Sequence, residues 1–219
     1  ILKILVQHGA SSEILMEAHP HIGTNKLPKI IVNMRETILR CGGEVHFNSK
    51  VTDFIIHNNR AVGVVVFKDG VEFETKADAV ILATGHSARD IFELLYRKKI
   101  LIEPKTFAIG VRIEHPQEII DKVQYHCQST RELQEKRQYL PAASYSLVEQ
   151  LDGRGVYSFC MCPGGIIAPC ATDQEQIVTN GWSPSKRNNP FANSGIVTTV
   201  LSEDYAHLNH HGALASMKY

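Results

Sequence analysis

Side chains able to do chemistry gather at a few places in this 219-residue chain. Cys160 and Cys162 flank Met161, and Cys170 follows in the same stretch. A one-residue spacing puts both thiols on one face of a strand. Two small buried side chains, a redox thiol or a metal site would each fit that pattern. Structural zinc takes four ligands, often from Cys-x-x-Cys knuckles; the spacing here is one residue and no companion pair exists. A redox thiol would need exposure and a lowered pKa. Pro163-Gly164-Gly165 comes next, and two glycines after a strand either make a tight turn or let backbone approach a planar ring or an anion. His19 and His21 flank Pro20; His21 could shuttle a proton or cap the helix after it. His86 follows a Thr-Gly turn and could touch a ligand. Arg112 shares a strand with Glu114, where a guanidinium either grips an anion with two prongs or pairs internally. Arg187, between Lys186 and Asn188, reads as a loop residue with an anion-binding option. His210-His211 read as surface residues.

Other chemistries have no footing. The chain has no Gly-x-x-x-x-Gly-Lys-Ser/Thr phosphate loop, no Gly-x-Ser-x-Gly elbow and no His-Glu-x-x-His. Lys plus Arg equals Asp plus Glu at 23 each, which excludes a generic polyanion binder. Aromatics are only 7%, too sparse for stacking along single-stranded nucleic acid. Five cysteines are too few and too odd for a secreted disulfide framework, so a reducing, cytoplasmic setting is expected. The longest uncharged run, Gly155 to Thr172, is broken by Pro163, Gly164, Gly165 and Pro169 and does not read as a membrane span. No nucleic-acid or membrane partner is expected.

The elements that must position these residues follow from periodicity. Leu27, Ile30, Ile31, Met34 and Ile38 share a helical face, with Thr24 or Asn25 as cap and Gly42-Gly43 as stop. Glu44 to Asn48 and Val51 to His57 read as strands. Asn58-Asn59 turns the chain into a strand at Ala61 to Lys68, and Asp69-Gly70 signals a hairpin to Val71 through Lys76. Asp78 to Thr84 is an apolar run of the kind buried on both faces of a parallel sheet. Ser87-Ala88-Arg89-Asp90 reads as a capping box opening a helix. Thr106 to Glu114 is an expected strand, and Pro116 starts a further helix. Ser129 to Gln138 is a short surface helix or a mobile loop. Later signals are mostly β: Ala143 to Glu149, Gly155 to Cys162, Gly165 to Cys170, Gln176 to Asn180 and Ile196 to Leu201. Of the 46 charged side chains only 10 lie in residues 138–219, a shift that suggests two modules or a surface meant to be covered.

Ala79-Val80-Ile81-Leu82-Ala83-Thr84-Gly85-His86-Ser87-Ala88 joins an apolar strand to a Thr-Gly turn and a helix start. Ligands of open α/β sheets bind beyond such strand ends. With the Gly-Gly, strand and β-meander before it, the order resembles the middle of the FAD domain of the glutathione reductase superfamily of flavoproteins. Pro20-His21-Ile22-Gly23-Thr24-Asn25-Lys26-Leu27, Gly85-His86-Ser87-Ala88-Arg89-Asp90, Phe107 to Pro116, Cys160 to Gly165, Asn180-Gly181 and Asn193-Ser194 occur in order. This set resembles the bacterial FAD-dependent, NAD- or FAD-utilising dehydrogenases.

The resemblance implies an α/β fold, α+β overall. It places part of an FAD-binding, Rossmann-like domain with a β-meander at residues 1–104. A β-rich substrate domain, incomplete at its C-terminus, would follow at 105–219. It implies FAD as cofactor, NAD(P)H as a candidate electron donor, and hydride transfer to or from a small molecule. Val51 would meet the adenine through its backbone, and Ala83, Thr84, Gly85 and His86 would lie beside the cofactor. Arg112, Cys162, Gly164 and Gly165 would form the substrate side; no metal is expected. The family's Gly-x-Gly-x-x-Gly loop, its ribose-binding acid and its C-terminal Gly-Asp segment have no match here. The chain therefore reads as an internal fragment, expected to bind FAD weakly or not at all without its neighbouring segments. A non-catalytic dinucleotide- or ligand-binding module on the same scaffold is the alternative, and a thiol- or zinc-dependent protein built on Cys160, Cys162 and Cys170 a third.

Overall fold

A long central strand with small side chains organises the larger part of the molecule. The computed structural model describes residues 1–172, 174, 176–208 and 214–216; His210-His211 lie outside the described residues. The chain divides into two units, Ile1–Thr37 with Thr106–Leu201, and Ile38–Lys105 with Ser202–Tyr219. The first module expected at 1–104 is thus shared between the two.

The first unit contains helix α1 (Leu2–Gln7), most of helix α2 (Leu27–Arg40), and strand β4 (Phe107–Pro116) followed by helices α4 (Gln117–Gln124) and α5 (Thr130–Lys136). Strands β5 (Val148–Leu151), β6 (Arg154–Cys162), β7 (Ile166–Pro169), β8 (Thr179–Trp182) and β9 (Phe191–Val200) complete it. Four strands pair antiparallel in the order β4-β9-β6-β5, and β7 pairs with β8. Strand β9 runs in full register with β4, from Phe107 opposite Val200 to Pro116 opposite Phe191. Its residues Ala192, Asn193, Ser194 and Gly195 are buried, and small side chains suit a strand enclosed between two others. The pairing of the inner strand β6 with β9 is interrupted between Phe159 and Cys162 by a bulge, with Cys160 in the left-handed region at φ 50°.

A buried polar network ties helix to sheet here. Asp121, 1% exposed, accepts hydrogen bonds from Gln117 Nε2 at 2.7 Å, Ala143 N–H at 2.8 Å and Arg137 Nε at 2.9 Å. Gln117, one turn earlier on α4, also donates to the Ala143 carbonyl at 2.9 Å and accepts from Gly164 N–H at 2.8 Å. Both side chains are buried with donors and acceptors matched, the condition under which a polar core stabilises. Helix α5 is held by Ser129, whose hydroxyl accepts from Glu132 N–H at 3.2 Å, resolving Ser129 to Gln138 as a capped helix.

The second unit is built on an antiparallel meander of β1 (Lys50–His57), β2 (Arg60–Lys68) and β3 (Val71–Lys76). Its turns, Asn58-Asn59 and Asp69-Gly70, have positive φ at both central residues, the hairpin geometry expected from their types. Helix α3 (Arg89–Arg97) buries Ile91 and Leu94 and pairs with β1 through Asp90–Lys50 at 2.9 Å and Asp53–Lys98 at 2.7 Å.

Several expectations are corrected. Glu44 to Asn48 is irregular and exposed, with Glu44 turned onto His46 instead of a neighbouring strand. Asp78 to Thr84 is not a buried parallel strand: Ile81 is 90% exposed, and every ladder among the described residues is antiparallel. A strand exists only against a partner, and the unit's three strands pair with one another. Ser87 caps nothing; α3 starts at Arg89 with Ala88 before it and no side-chain cap. Asp90 instead accepts from Ile91 N–H and pairs with Lys50. Thr24 and Asn25 bond to Ser183 and Ser185 and not to α2. Ala143 to Leu147 is irregular ahead of β5, and the strand expected at Gln176 to Asn180 is β8, shifted towards Trp182.

Asp121→Asn should lower stability by about 3 kcal/mol, because the amide cannot accept from all its present donors. Urea unfolding of the variant beside the parent chain measures this; a loss under about 1 kcal/mol would contradict the network's role.

Candidate functional site

The first unit brings His19, His21, Cys160, Cys162, Ser183 and Arg187 around one cleft of about 370 Å³. A second cleft of about 450 Å³ shares His19, His21 and Arg187 and adds Lys26, Ser185 and Lys186. The walls are positioned by backbone laid directly on backbone. Thr24 N–H donates to the Ser183 carbonyl at 3.0 Å, and Ser185 N–H to Asn25 Oδ1 at 2.8 Å. Gly23 faces Ser185 so closely that a Cβ would overlap the Ser185 amide nitrogen. Gly164, at φ 53°, faces the Arg187 carbonyl in the same way, and Gly165 faces the Trp182 carbonyl. Asn189 N–H donates to the Gly164 carbonyl at 3.3 Å.

His21 Nε2 lies 3.0 Å from the Pro184 carbonyl. A carbonyl only accepts, so Nε2 carries the hydrogen and Nδ1 of the neutral ring is the unprotonated nitrogen. His21 N–H donates to Glu17 Oε2 at 3.3 Å. The ring thus neither caps α2 nor rotates freely; its tautomer is set by the loop it touches.

Arg112 is spent internally. Its Nη1 donates to Asn193 Oδ1 at 2.8 Å and to the Cys160 carbonyl at 3.2 Å. Asn193 is fully buried on β9 opposite Cys162, and its Nδ2 has no hydrogen-bond partner among the described residues. Glu114 Oε2 accepts from Ile167 N–H at 3.1 Å, joining β4 to β7. The Cys162 thiol donates to the Cys160 carbonyl at 3.3 Å. Burial, followed by the charge and side-chain hydrogen bonding of the neighbouring Cys160 thiol, pushes its pKa up to about 11, against a smaller downward pull from Arg112 and Arg187. It is a thiol at neutral pH, the reverse of an activated nucleophile. No group of three or more metal-ligating side chains occurs among the described residues.

The expected site residues fall in two sets. Arg112, Cys162, Gly164 and Gly165 lie together in the first unit. Val51, on β1, and Ala83, Thr84, Gly85 and His86, in the irregular segment before α3, belong to the second. Gly85 has φ 76° and open space where a Cβ would stand, so its backbone is approachable. The close approach made by Gly164 and Gly165 in this structure is to the protein's own carbonyls of Arg187 and Trp182. Sequence reasoning missed Gln117 and Asp121, which hold Gly164, and Lys26, Ser183 and Ser185, which line the clefts. The i,i+4 spacing of Gln117 and Asp121 was the available signal.

Two family models cover this chain. Residues 8–159 match the FAD binding domain, and residues 106–219 match the FAD-dependent protein, C-terminal domain-like family. A relative described as "Uncharacterized protein" from Clostridium beijerinckii is 42% identical over 207 residues. The match covers 94% of this chain and 37% of the relative, so the chain spans little more than a third of that relative's length. The chain belongs to this family of FAD-dependent proteins. No helix among the described residues is long and apolar enough to cross a membrane.

Two outcomes follow from the geometry. Alkylation near neutral pH should reach exposed Cys160 well before Cys162, whose modification should rise only as pH approaches about 11; peptide mapping that finds equal rates at pH 7 would contradict the raised pKa. Gly164→Ala should cost roughly 2–4 kcal/mol through clash and strain, read as a lowered thermal midpoint, and an unchanged midpoint would contradict the packing.

Proposed function

We propose that this chain is the middle part of a cytoplasmic bacterial FAD-dependent oxidoreductase of the glutathione reductase type. The observation that carries the proposal is the double family match, an FAD binding domain running into an FAD-dependent C-terminal domain. The 37% share of the Clostridium beijerinckii relative supports reading the chain as part of a longer protein. In this reading residues 1–104 contribute to a Rossmann-like cofactor domain and 105–219 to a substrate domain.

The residues present fit a flavin nucleotide on one count. The segment Ala83-Thr84-Gly85-His86 is exposed, and Gly85 presents open backbone, which suits close approach of a planar or anionic group. The uncovered apolar run before it, with Ile81 at 90% exposure, suits a strand paired by segments outside this chain. When bound, FAD would supply hydride transfer at flavin N5, with NAD(P)H as the candidate donor. The chain's own contribution is binding and orientation: Val51 and residues 83–86 on the cofactor side, and Arg112, Cys162 and the Gly164 turn on the substrate side. Arg112 acts there as the group that fixes Asn193 and the Cys160 carbonyl.

In the full-length protein, Gly85→Val should lower flavin content severalfold, because a β-branched residue at φ 76° is strained by about 1–3 kcal/mol. The ratio of visible flavin absorption to protein absorption reads this. Wild-type flavin occupancy in the variant would remove this segment from the cofactor site. Bleaching of bound flavin by NADH or NADPH separates an oxidoreductase from a non-catalytic binding module on the same scaffold.

A further inference from the structure

We infer that the paired clefts around Arg187 form a binding site for the oxyanion of a small organic acid or phosphate ester, held by Arg187, Lys186, Lys26 and the Ser185 hydroxyl. Lys26, Lys186 and Arg187 line the same cleft, and among the described residues none of the three forms an ion pair. Two carboxylates line the same wall, and each accepts a hydrogen bond within it, Glu17 Oε2 from His21 N–H at 3.3 Å and Glu13 Oε2 from the Ser11 hydroxyl at 3.1 Å. Three basic side chains thus outnumber two carboxylates around the cleft of about 450 Å³, and Arg187 is the one that also lines the cleft of about 370 Å³, where no carboxylate is present among the described residues; both volumes are in the size range of small-molecule sites. Ser183 spends its hydroxyl proton on the Pro163 carbonyl at 2.7 Å. Ser185 Oγ only accepts, from Asn25 Nδ2 at 3.3 Å, so its proton remains to be donated.

Arg187 itself is built into place. Its backbone sits in the left-handed region at φ 47°, which a long side chain adopts only where its surroundings enforce it. The enforcement is visible: its N–H donates to the Pro184 carbonyl at 2.9 Å, and its carbonyl lies against Gly164, itself held by buried Gln117. A half-buried arginine on so fixed a backbone suits two-pronged recognition of a carboxylate or phosphate. His21 lines the same cleft but spends its Nε2 hydrogen on the Pro184 carbonyl, so the donors to the anion are the cations and Ser185. The zero net charge and the concave walls favour a small anion over a polyanion. That this anion is the substrate rests on the flavoenzyme reading; its binding does not.

Calorimetric titration of the full chain with succinate and, separately, with inorganic phosphate at fixed ionic strength tests the site. We expect saturable one-to-one binding of at least one anion. Arg187→Gln should weaken it about tenfold or more, and exposed Lys186→Gln should weaken it to a lesser degree. Lys68→Gln, on the hairpin of the other unit, should leave it unchanged. Preference for succinate assigns a carboxylate ligand and preference for phosphate a phosphate ester; either supports the site. Absence of binding by both anions overturns it, as does affinity unaltered in both Arg187→Gln and Lys186→Gln. If Arg187→Gln loses its thermal transition, Lys186→Gln alone decides. Flavin absorption, measured after addition of FAD on the full-length protein and not on this chain alone, keeps the two readings apart. Anion binding without flavin uptake retains the site and removes the flavoenzyme, and flavin uptake without anion binding overturns only the site.

Discussion

The geometry of the first unit depends on three glycines that let backbone pack on backbone around residues 182–187. Gly23, Gly164 and Gly165 face Ser185, Arg187 and Trp182 with no room for a Cβ. The buried Gln117 side chain fixes Gly164 N–H, and Asp121 fixes Gln117. The same Asp121 carboxylate holds Ala143 and Arg137. A short chain of satisfied buried polar groups therefore runs from α4 to the walls of the clefts. Such a network transmits position well, because any missing member leaves unpaired groups in a low-dielectric interior.

The thiols and the arginines of this unit have distinct roles. Arg112 is an internal brace, locked to Asn193 and the Cys160 carbonyl. Cys162 is kept protonated by its burial and packs as a small side chain beside β9. Arg187 and Lys186 carry the unpaired charge. Clefts lined by these cations fit the small anion proposed above, in a family defined by FAD dependence. The other unit supplies a meander and an open glycine turn.

Legibility in the sequence followed the range of the interactions involved. The hairpins at Asn58-Asn59 and Asp69-Gly70 and the amphipathic helix from Leu27 depend on neighbours a few residues away and were readable, whereas Ser129 to Gln138 stayed open between helix and loop, and the Ser129 cap settles it as a helix. Glu44 to Asn48 and Asp78 to Thr84 have strand-like composition, but a strand is defined by a partner and theirs is not among the described residues. The full length of β9 was missed at Phe191 to Gly195 because Asn, Ser and Gly have low strand propensity; enclosure between β4 and β6 overrides it. For the candidate site, Gly164, Cys162 and Arg112 were singled out by type, while their contacts in the structure are made with residues far along the chain. Lys26 and Lys186 lie 160 positions apart, and no local pattern joins them.

Flavin dependence is the central claim, and a visible absorption spectrum after incubation with FAD and desalting tests it most directly. It should be recorded for the longer Clostridium beijerinckii relative and for this chain side by side. The account predicts flavin bands retained by the relative and weak or absent in this chain alone. Absence of flavin from both would contradict it.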